Sequence, residues 1–234
     1  MLSLVLALAA PAGVRAGEEP RFAAPPGTET PEVRSLIDRA AAAIKEGRTP
    51  ADLLTDPAFM QAHEWPRFRD LIGDHSTSSR TVIVTPAEPG EALVVSGSVR
   101  AAGGAPLKGA KIYVYQTSSK GWYSDKAPHV SGMEGDTRHA RLFGYMIADD
   151  KGEFEFRTIH PAGYPGSNLP AHIHIHVTPA DGSQRGLVSE IRFDDDPRMT
   201  EAMRQDSLRD GYLVCHVTRD AGAALRVRAD FSVP

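Results

Sequence analysis

The sequence predicts a mainly β protein: an antiparallel β-sandwich preceded by a short helical N-terminal region. Three observations carry this expectation. From about residue 80 onward, eight alternating or apolar runs recur between turn clusters such as Ala101-Ala102-Gly103-Gly104 and Asp149-Asp150-Lys151-Gly152. No helical periodicity separates those runs, which favours a sandwich or barrel over βαβ units. Helical spacing is confined to residues 30–73.

Taken in order, Leu2 to Ala10 is an apolar run, and Val14-Arg15-Ala16 before Gly17 fits a small-residue cleavage rule. Residues 1–16 are therefore expected to be a signal peptide, with a periplasmic or secreted mature protein; an unprocessed N-terminus would leave it cytoplasmic. Pro11 and Gly13 interrupt the run, so no membrane span is expected. Residues 17–29, rich in Pro, Gly, Glu and Ala, read as a linker. Thr30-Pro31-Glu32 supplies an N-cap, a first-turn proline and a first-turn acid, and Val33, Leu36, Ile37, Ala40 and Ile44 keep helical spacing up to Gly47. Shorter helical pieces are predicted at 50–55 and 57–73, the second with Phe59, Met60, Trp65, Phe68, Leu71 and Ile72 as its apolar members. A helical region of residues 30–78 is too small for its own core, so it is expected to pack on the sandwich or to pair two copies of the chain as a homodimer.

Strands are predicted near 91–100, 109–116, 141–148, 153–158, 171–178, 186–193, 211–218 and 224–232, giving a sandwich over residues 79–234. A net charge of −4 with interspersed signs offers no basic stripe for nucleic acid, so a small molecule is the expected partner. The single cysteine, Cys215, excludes an intrachain disulfide framework and any multi-cysteine metal site. It lies in the run Tyr212-Leu213-Val214-Cys215 and reads as a buried, inert thiol.

One stretch points to chemistry. In Pro170-Ala171-His172-Ile173-His174-Ile175-His176-Val177 histidine alternates with aliphatic residues, and a strand puts every second side chain on one face. Three imidazoles then point one way and three aliphatic groups anchor the other face in a core. Upstream, His160-Pro161-Ala162-Gly163-Tyr164-Pro165 places a phenol after a Pro/Gly turn, where a highly charged cation can deprotonate and bind it.

Beyond that stretch, the succession Leu93-Val94-Val95-Ser96-Gly97-Ser98-Val99, Gly109-Ala110-Lys111-Ile112-Tyr113-Val114-Tyr115-Gln116, Asp149-Asp150-Lys151-Gly152-Glu153-Phe154 and Phe156-Arg157-Thr158-Ile159 through Pro170-Ala171-His172-Ile173-His174 resembles the intradiol ring-cleavage dioxygenases. The resemblance covers about residues 88–200. It implies a non-haem Fe(III) held by two tyrosines and two histidines, with Tyr164, His172 and His174 falling on three ligand positions. The first ligand tyrosine falls on Tyr123, at the end of Tyr115-Gln116-Thr117-Ser118-Ser119-Lys120-Gly121-Trp122-Tyr123. Two phenolates and two imidazoles are hard to borderline donors, which suits a trivalent iron. The resemblance implies a substrate that is an aromatic diol, opened with O2 between its hydroxyl-bearing carbons to a muconate-type dicarboxylate. It makes Tyr164 the departing axial ligand opposite His174, with Tyr123 and His172 equatorial.

Two departures from the family pattern stand close to the motif. Leu169 occupies a position where many members carry an arginine that stabilises carbanion-like substrate, and Glu190 one where they carry glutamine. Arg141, Arg157 and Lys120 are the candidates for a substitute charge. His176 lies about 6–7 Å beyond His174 along the strand and is expected to line the pocket or hydrogen-bond behind the ligands. His129, His139 and His160 are expected in loops, solvated or at most on a pocket rim, Asp194-Asp195-Asp196-Pro197 as a solvated turn, and Tyr145, Trp122 and Met133 as pocket walls or core. Two other function classes compete: a non-catalytic, transthyretin-like sandwich that serves as a binding module, and a cupin-like oxygenase or metallohydrolase built on His-x-His. The second would need a following glutamate and a further histidine, and Val177 to Gly186 contains neither.

Overall fold

In the computed structural model, which describes residues 29–124, 140–181 and 186–234, helices come first and strands follow. The predicted signal segment and the loop histidines His129 and His139, with Met133, lie outside the described residues. Helix α1 (Pro31–Lys45) starts where Thr30 Oγ1 accepts from the Val33 amide at 3.3 Å, and buries Val33, Leu36, Ile37 and Ala40. Helix α2 (Pro50–Thr55) opens on a capping box between Thr49 and Asp52. The helix expected over 57–73 is divided into a 3₁₀ turn (Pro57–Ala62) and α3 (Pro66–His75). Pro66 explains the break: the residue before a proline is pushed out of the helical region, while the proline itself suits a first turn.

The strands form two five-stranded sheets. One has the order β1 (Arg80–Val82), β5 (Glu153–Ile159), β2 (Ala92–Ala101), β10 (Leu225–Val233), β9 (Thr218–Arg219). The other has the order β4 (Leu142–Ile147), β3 (Lys111–Gln116), β6 (His172–Thr178), β7 (Leu187–Phe193), β8 (Leu213–Cys215). The expected sandwich is present, and its sheets are mixed. β3 pairs antiparallel with β4 and β6, and β6 with β7, whereas β10 runs parallel to β2, from Leu225 beside Leu93 to Val233 beside Ala101. β1–β5 and β7–β8 are also parallel. The run predicted over 211–218 is interrupted, giving β8 in one sheet and β9 in the other. Helix α4 (Glu201–Arg209) fills a stretch that periodicity leaves unassigned, because Ser207 is its one buried residue and it has no apolar stripe to read.

The sandwich core lies between the sheets. Val95, Phe156, Val227 and Phe231 of the first meet Ile112, Val114, Ile173, Ile175, Val177 and Ile191 of the second. The opposite face of the second sheet is covered too. There Tyr113, Tyr115, Phe143 and Tyr145 pack with Leu53, Leu54, Phe59, Phe68 and Ile72 of the helical region. The helical region is therefore seated on the sandwich, the first of its two expected surfaces. Cys215 is buried in the sandwich core, and burial pushes its thiol up to about 12, as an inert cysteine requires. Among the described residues, no helix is long and apolar enough to cross a membrane.

Candidate metal centre

β6 presents its histidines to the helix-covered face because Ile173, Ile175 and Val177 are locked in the sandwich core. In register, His174 stands beside Tyr115 on β3 and Glu190 on β7, and His176 stands beside Tyr113 and Val188. Tyr115 stacks on His174 at 4.4 Å between centroids with 12° between planes, which holds that ring upright. His172 Nδ1 lies 2.8 Å from the Pro170 carbonyl. A carbonyl only accepts, so Nδ1 carries the hydrogen and the Nε2 lone pair faces the opposite way.

The two tyrosines arrive on loops fixed from several sides. Gln116, fully buried, donates through Nε2 to the Ile159 carbonyl at 2.9 Å and so ties the end of β3 to the start of the Tyr164 loop. Thr117 Oγ1 donates to the Ala162 carbonyl at 2.7 Å, and Arg198 Nη1 donates to the carbonyls of Leu169 at 3.1 Å and Tyr164 at 3.4 Å. A side chain on Gly163 would place its Cβ 2.0 Å from Arg198 Nη1, so glycine is what lets that clamp close. Tyr123 leaves β3 through a turn at Gly121, whose φ is +76° and whose Cβ would fall 2.3 Å from the Gly163 carbonyl. The Arg141 amide donates to the Tyr123 carbonyl at 2.8 Å, and Ser124 Oγ donates to Glu64 of the helical region at 2.8 Å.

These frames bring four donor atoms together. Tyr123 Oη is 2.5 Å from Tyr164 Oη and 2.8 Å from His174 Nε2. Tyr164 Oη is 2.9 Å from His172 Nε2 and 3.5 Å from His174 Nε2. The His172 and His174 rings meet edge to face at 4.7 Å and 87°. A cation with bonds of about 2 Å has donor-to-donor edges of about 3 Å, so the cluster has the dimensions of a small coordination shell. Its donor set, two phenol oxygens and two imidazole nitrogens, fits a hard trivalent ion. All four sequence-predicted residues, Tyr123, Tyr164, His172 and His174, are thus in one place.

Glu190 is a neighbour of the cluster on another side. Its Oε1 lies 3.9 Å from His174 Nδ1, the ring edge opposite the phenols, and its Oε2 is bonded by Arg192 Nη2 at 2.7 Å and Nε at 2.8 Å. His172, His174 and Glu190 place one ligand atom each within 4.8 Å of one another. His176 shares the strand face, with its ring 5.7 Å from Tyr113 and 5.8 Å from Tyr115, and burial pushes its pKa down to about 4. Neither ring nitrogen of His176 has a hydrogen-bond partner among the described residues. Burial likewise pushes the Tyr113 phenol well up, so it stays protonated.

The candidates for a substitute charge are elsewhere. Arg141 is buried in a two-point pair with Glu88, at 2.6 and 2.7 Å. Arg157 is exposed on the other sheet, and Lys120 lies 5.5 Å from the Trp122 ring centre. Tyr145 belongs to the helix-covered core rather than to a pocket wall. His160 packs on Phe193 with Nε2 3.6 Å from Asp195, lining a groove of about 450 Å³ behind the Tyr164 loop. Asp194 and Asp196 cap backbone amides, as a turn would. The contacts that sequence reading misses are those of Arg192, Arg198 and Glu64. Glu190 and Arg192, opposite charges two apart on one strand, are the one pair that spacing could have revealed.

A dioxygenase family model matches residues 64–232. The catechol 1,2-dioxygenase of Acinetobacter baylyi is 32% identical over 124 residues, which cover 46% of this chain and 38% of that protein. The chlorocatechol 1,2-dioxygenase of Rhodococcus opacus is 33% identical over 127 residues, 47% of this chain and 46% of that one. The chain therefore spans less than half the length of these two curated relatives. A solved dioxygenase domain, from a dioxygenase carbohydrate-binding protein fusion of the cellulolytic bacterium Streptomyces sp. SirexAA-E, superposes with a TM-score of 0.50 at 30% identity, covering 68% of this chain and 88% of that domain. The matched span reaches from Glu64, which holds the Tyr123 loop, to Ser232 in β10, and so contains all but the last residue of the sandwich and all four converging donors. By that match and that site, the chain belongs to the intradiol ring-cleavage dioxygenase family.

Proposed function

We propose that this protein is an intradiol dioxygenase that holds ferric iron through Tyr123, Tyr164, His172 and His174. Its substrate class is a catecholic diol, opened with O2 between the hydroxyl-bearing carbons to a muconate-type dicarboxylate. The observation that carries the reading is the convergence of two phenol oxygens and two imidazole nitrogens, linked by separations of 2.5 to 3.5 Å. When bound, ferric iron would supply a Lewis-acidic centre that a diol can chelate and that makes the diol's ring reactive toward O2.

The chain's own residues do the rest. His172 is held by the Pro170 carbonyl with Nε2 presented, and His174 is held by its stack on Tyr115, so both donors are oriented before any ion arrives. Tyr164 would be the donor that gives way to a diol, its phenolate Oη taking up one diol proton while solvent takes the other. Tyr123, whose carbonyl and neighbouring Ser124 are both tied down, stays in place. The helical region over the sheet excludes water from the phenol side of the cluster, where Tyr123 and Tyr164 are 4% and 5% exposed.

The test is the visible spectrum of iron-loaded protein together with O2 uptake on catechol, hydroxyquinol and protocatechuate. Phenolate bound to ferric iron is coloured, so a colourless protein that takes no iron overturns the reading, as does a Tyr164→Phe variant with an unchanged spectrum. A second reading, in which His172, His174 and Glu190 form a two-histidine, one-carboxylate centre, is favoured by their 4.8 Å grouping. It predicts iron without phenolate colour. Export is proposed on the apolar run Leu2–Ala10 and is checked by N-terminal sequencing of the mature protein from the extracytoplasmic fraction. Pairing of two chains through the helical region is checked by light scattering.

A further inference from the structure

We infer that Glu190, oriented by Arg192, is a positioning residue that places a negative charge behind the His174 imidazole; this rests on the iron-site reading above. His174 stands beside Glu190 and His172 beside Arg192, so the four side chains share one face of two adjacent strands. In this chain a carboxylate occupies a position where the family resemblance implies an amide, and its counter-charge lies two residues further along the same strand.

The ion pair is built rather than incidental. Both Arg192 contacts to Glu190 fall on Oε2, which leaves Oε1 turned toward His174 Nδ1 at 3.9 Å. Arg192 is itself immobilised: Nη1 donates to Ser207 Oγ at 2.8 Å, and the guanidinium lies over the Tyr212 ring at 4.3 Å. Ser207 is fully buried on α4 and donates onward to the Met203 carbonyl at 2.6 Å. Ser207 of helix α4 and Tyr212, just before β8, thus hold Arg192, and through it the carboxylate, in place beside His174.

The two edges of His174 then have different tasks. Nε2 faces the phenols, 2.8 Å from Tyr123 Oη and 3.5 Å from Tyr164 Oη, while Nδ1 faces the carboxylate. At 3.9 Å the contact with Glu190 is too long for a hydrogen bond and acts through charge. It favours the tautomer with hydrogen on Nδ1, frees the Nε2 lone pair and raises its basicity, as carboxylates behind metal-binding imidazoles do. A more basic donor stabilises the higher oxidation state. An amide at 190 would orient the ring with much less of this effect, because it carries no net charge.

The test uses the full chain and its Glu190→Gln and Arg192→Met variants. In metal-free protein, the ¹⁵N shifts of His174 should report hydrogen on Nδ1, with that tautomer less populated in Glu190→Gln. After loading, Glu190→Gln should keep one iron per chain, bind it about 10- to 100-fold less tightly against a chelator, absorb at longer wavelength and reduce more easily. Arg192→Met should move the same readouts in the same direction; if that variant does not fold, the near-isosteric Glu190→Gln decides. Unchanged ¹⁵N shifts, affinity, colour and potential in Glu190→Gln overturn the inference. Complete loss of iron in that variant also overturns it, since Glu190 would then be a ligand. A wild-type chain that takes no iron overturns the iron reading instead, and the metal-free shifts still decide whether Glu190 positions His174.

Discussion

Both faces of β6 are covered, the aliphatic one completely and the histidine one in part, and they are covered for different reasons. Ile173, Ile175 and Val177 point into a dry core where area removed from water is the whole effect, about 25 cal/mol for each Å². His172, His174 and His176 point toward tyrosines and helices, where each buried polar atom needs a partner or costs stability. The two faces divide the labour. The aliphatic face fixes the strand so that the histidine face can hold donors at set positions.

The largest effect should come from breaking the aliphatic face. Ile175→Ala should destabilise the fold by about 2–5 kcal/mol, since the site lies between two packed sheets and cannot collapse freely. Chemical denaturation would measure the loss, and a cost below about 1 kcal/mol would mean that the aliphatic face does not anchor the strand. Next comes the donor face: His172→Ala should abolish stoichiometric iron while the fold remains, read as metal content and near-normal circular dichroism. Retained iron with normal colour would remove His172 from the ligand set.

Leu169→Arg addresses the loop that leads into the histidine strand. Leu169 is 41% exposed and its carbonyl is held by Arg198, so a longer side chain can be accommodated without repacking. Turnover of simple catechols should rise, by up to on the order of 10²-fold if one well-placed charge is what the site lacks. No change across the panel would mean that the natural diol needs no such charge. The smallest effect is expected from His176→Phe. That side chain has no hydrogen-bond partner among the described residues and sits between the rings of Tyr113 and Tyr115, so an apolar ring should keep iron stoichiometric and leave stability equal or slightly higher. Loss of iron in His176→Phe would extend the donor face by one residue and redraw the comparison.

Much of this site was legible in the sequence because its signals are local. Alternation of histidine with isoleucine fixes a face, prolines around Tyr164 mark a rigid turn, and Thr30, Thr49 and Pro31 mark helix starts by their own hydrogen bonds and ring geometry. The break at Pro66 was readable from the same rules and was overridden by the apolar pattern across it. The parallel pairing of β10 with β2 was not readable, because alternation says which face a strand buries and nothing about its neighbour or direction. Helix α4 escaped for the opposite reason: it carries almost no apolar face, yet it fixes Arg192 through Ser207.

The fold class, the choice of Tyr123, Tyr164, His172 and His174 as candidates, and the apolar setting of Cys215 all follow from residue type, spacing or family motif. Packing in three dimensions adds that Tyr123 Oη and Tyr164 Oη lie 2.5 Å apart, that the helical region packs with the site's tyrosines, and that Glu190 is turned toward His174 by Arg192. Those facts join elements as distant as Glu64 and Ser124 or Arg192 and Ser207, and such contacts depend on how sheets and helices stack. Spacing along a chain records the period of one element. Which elements meet is set by the burial of their faces together.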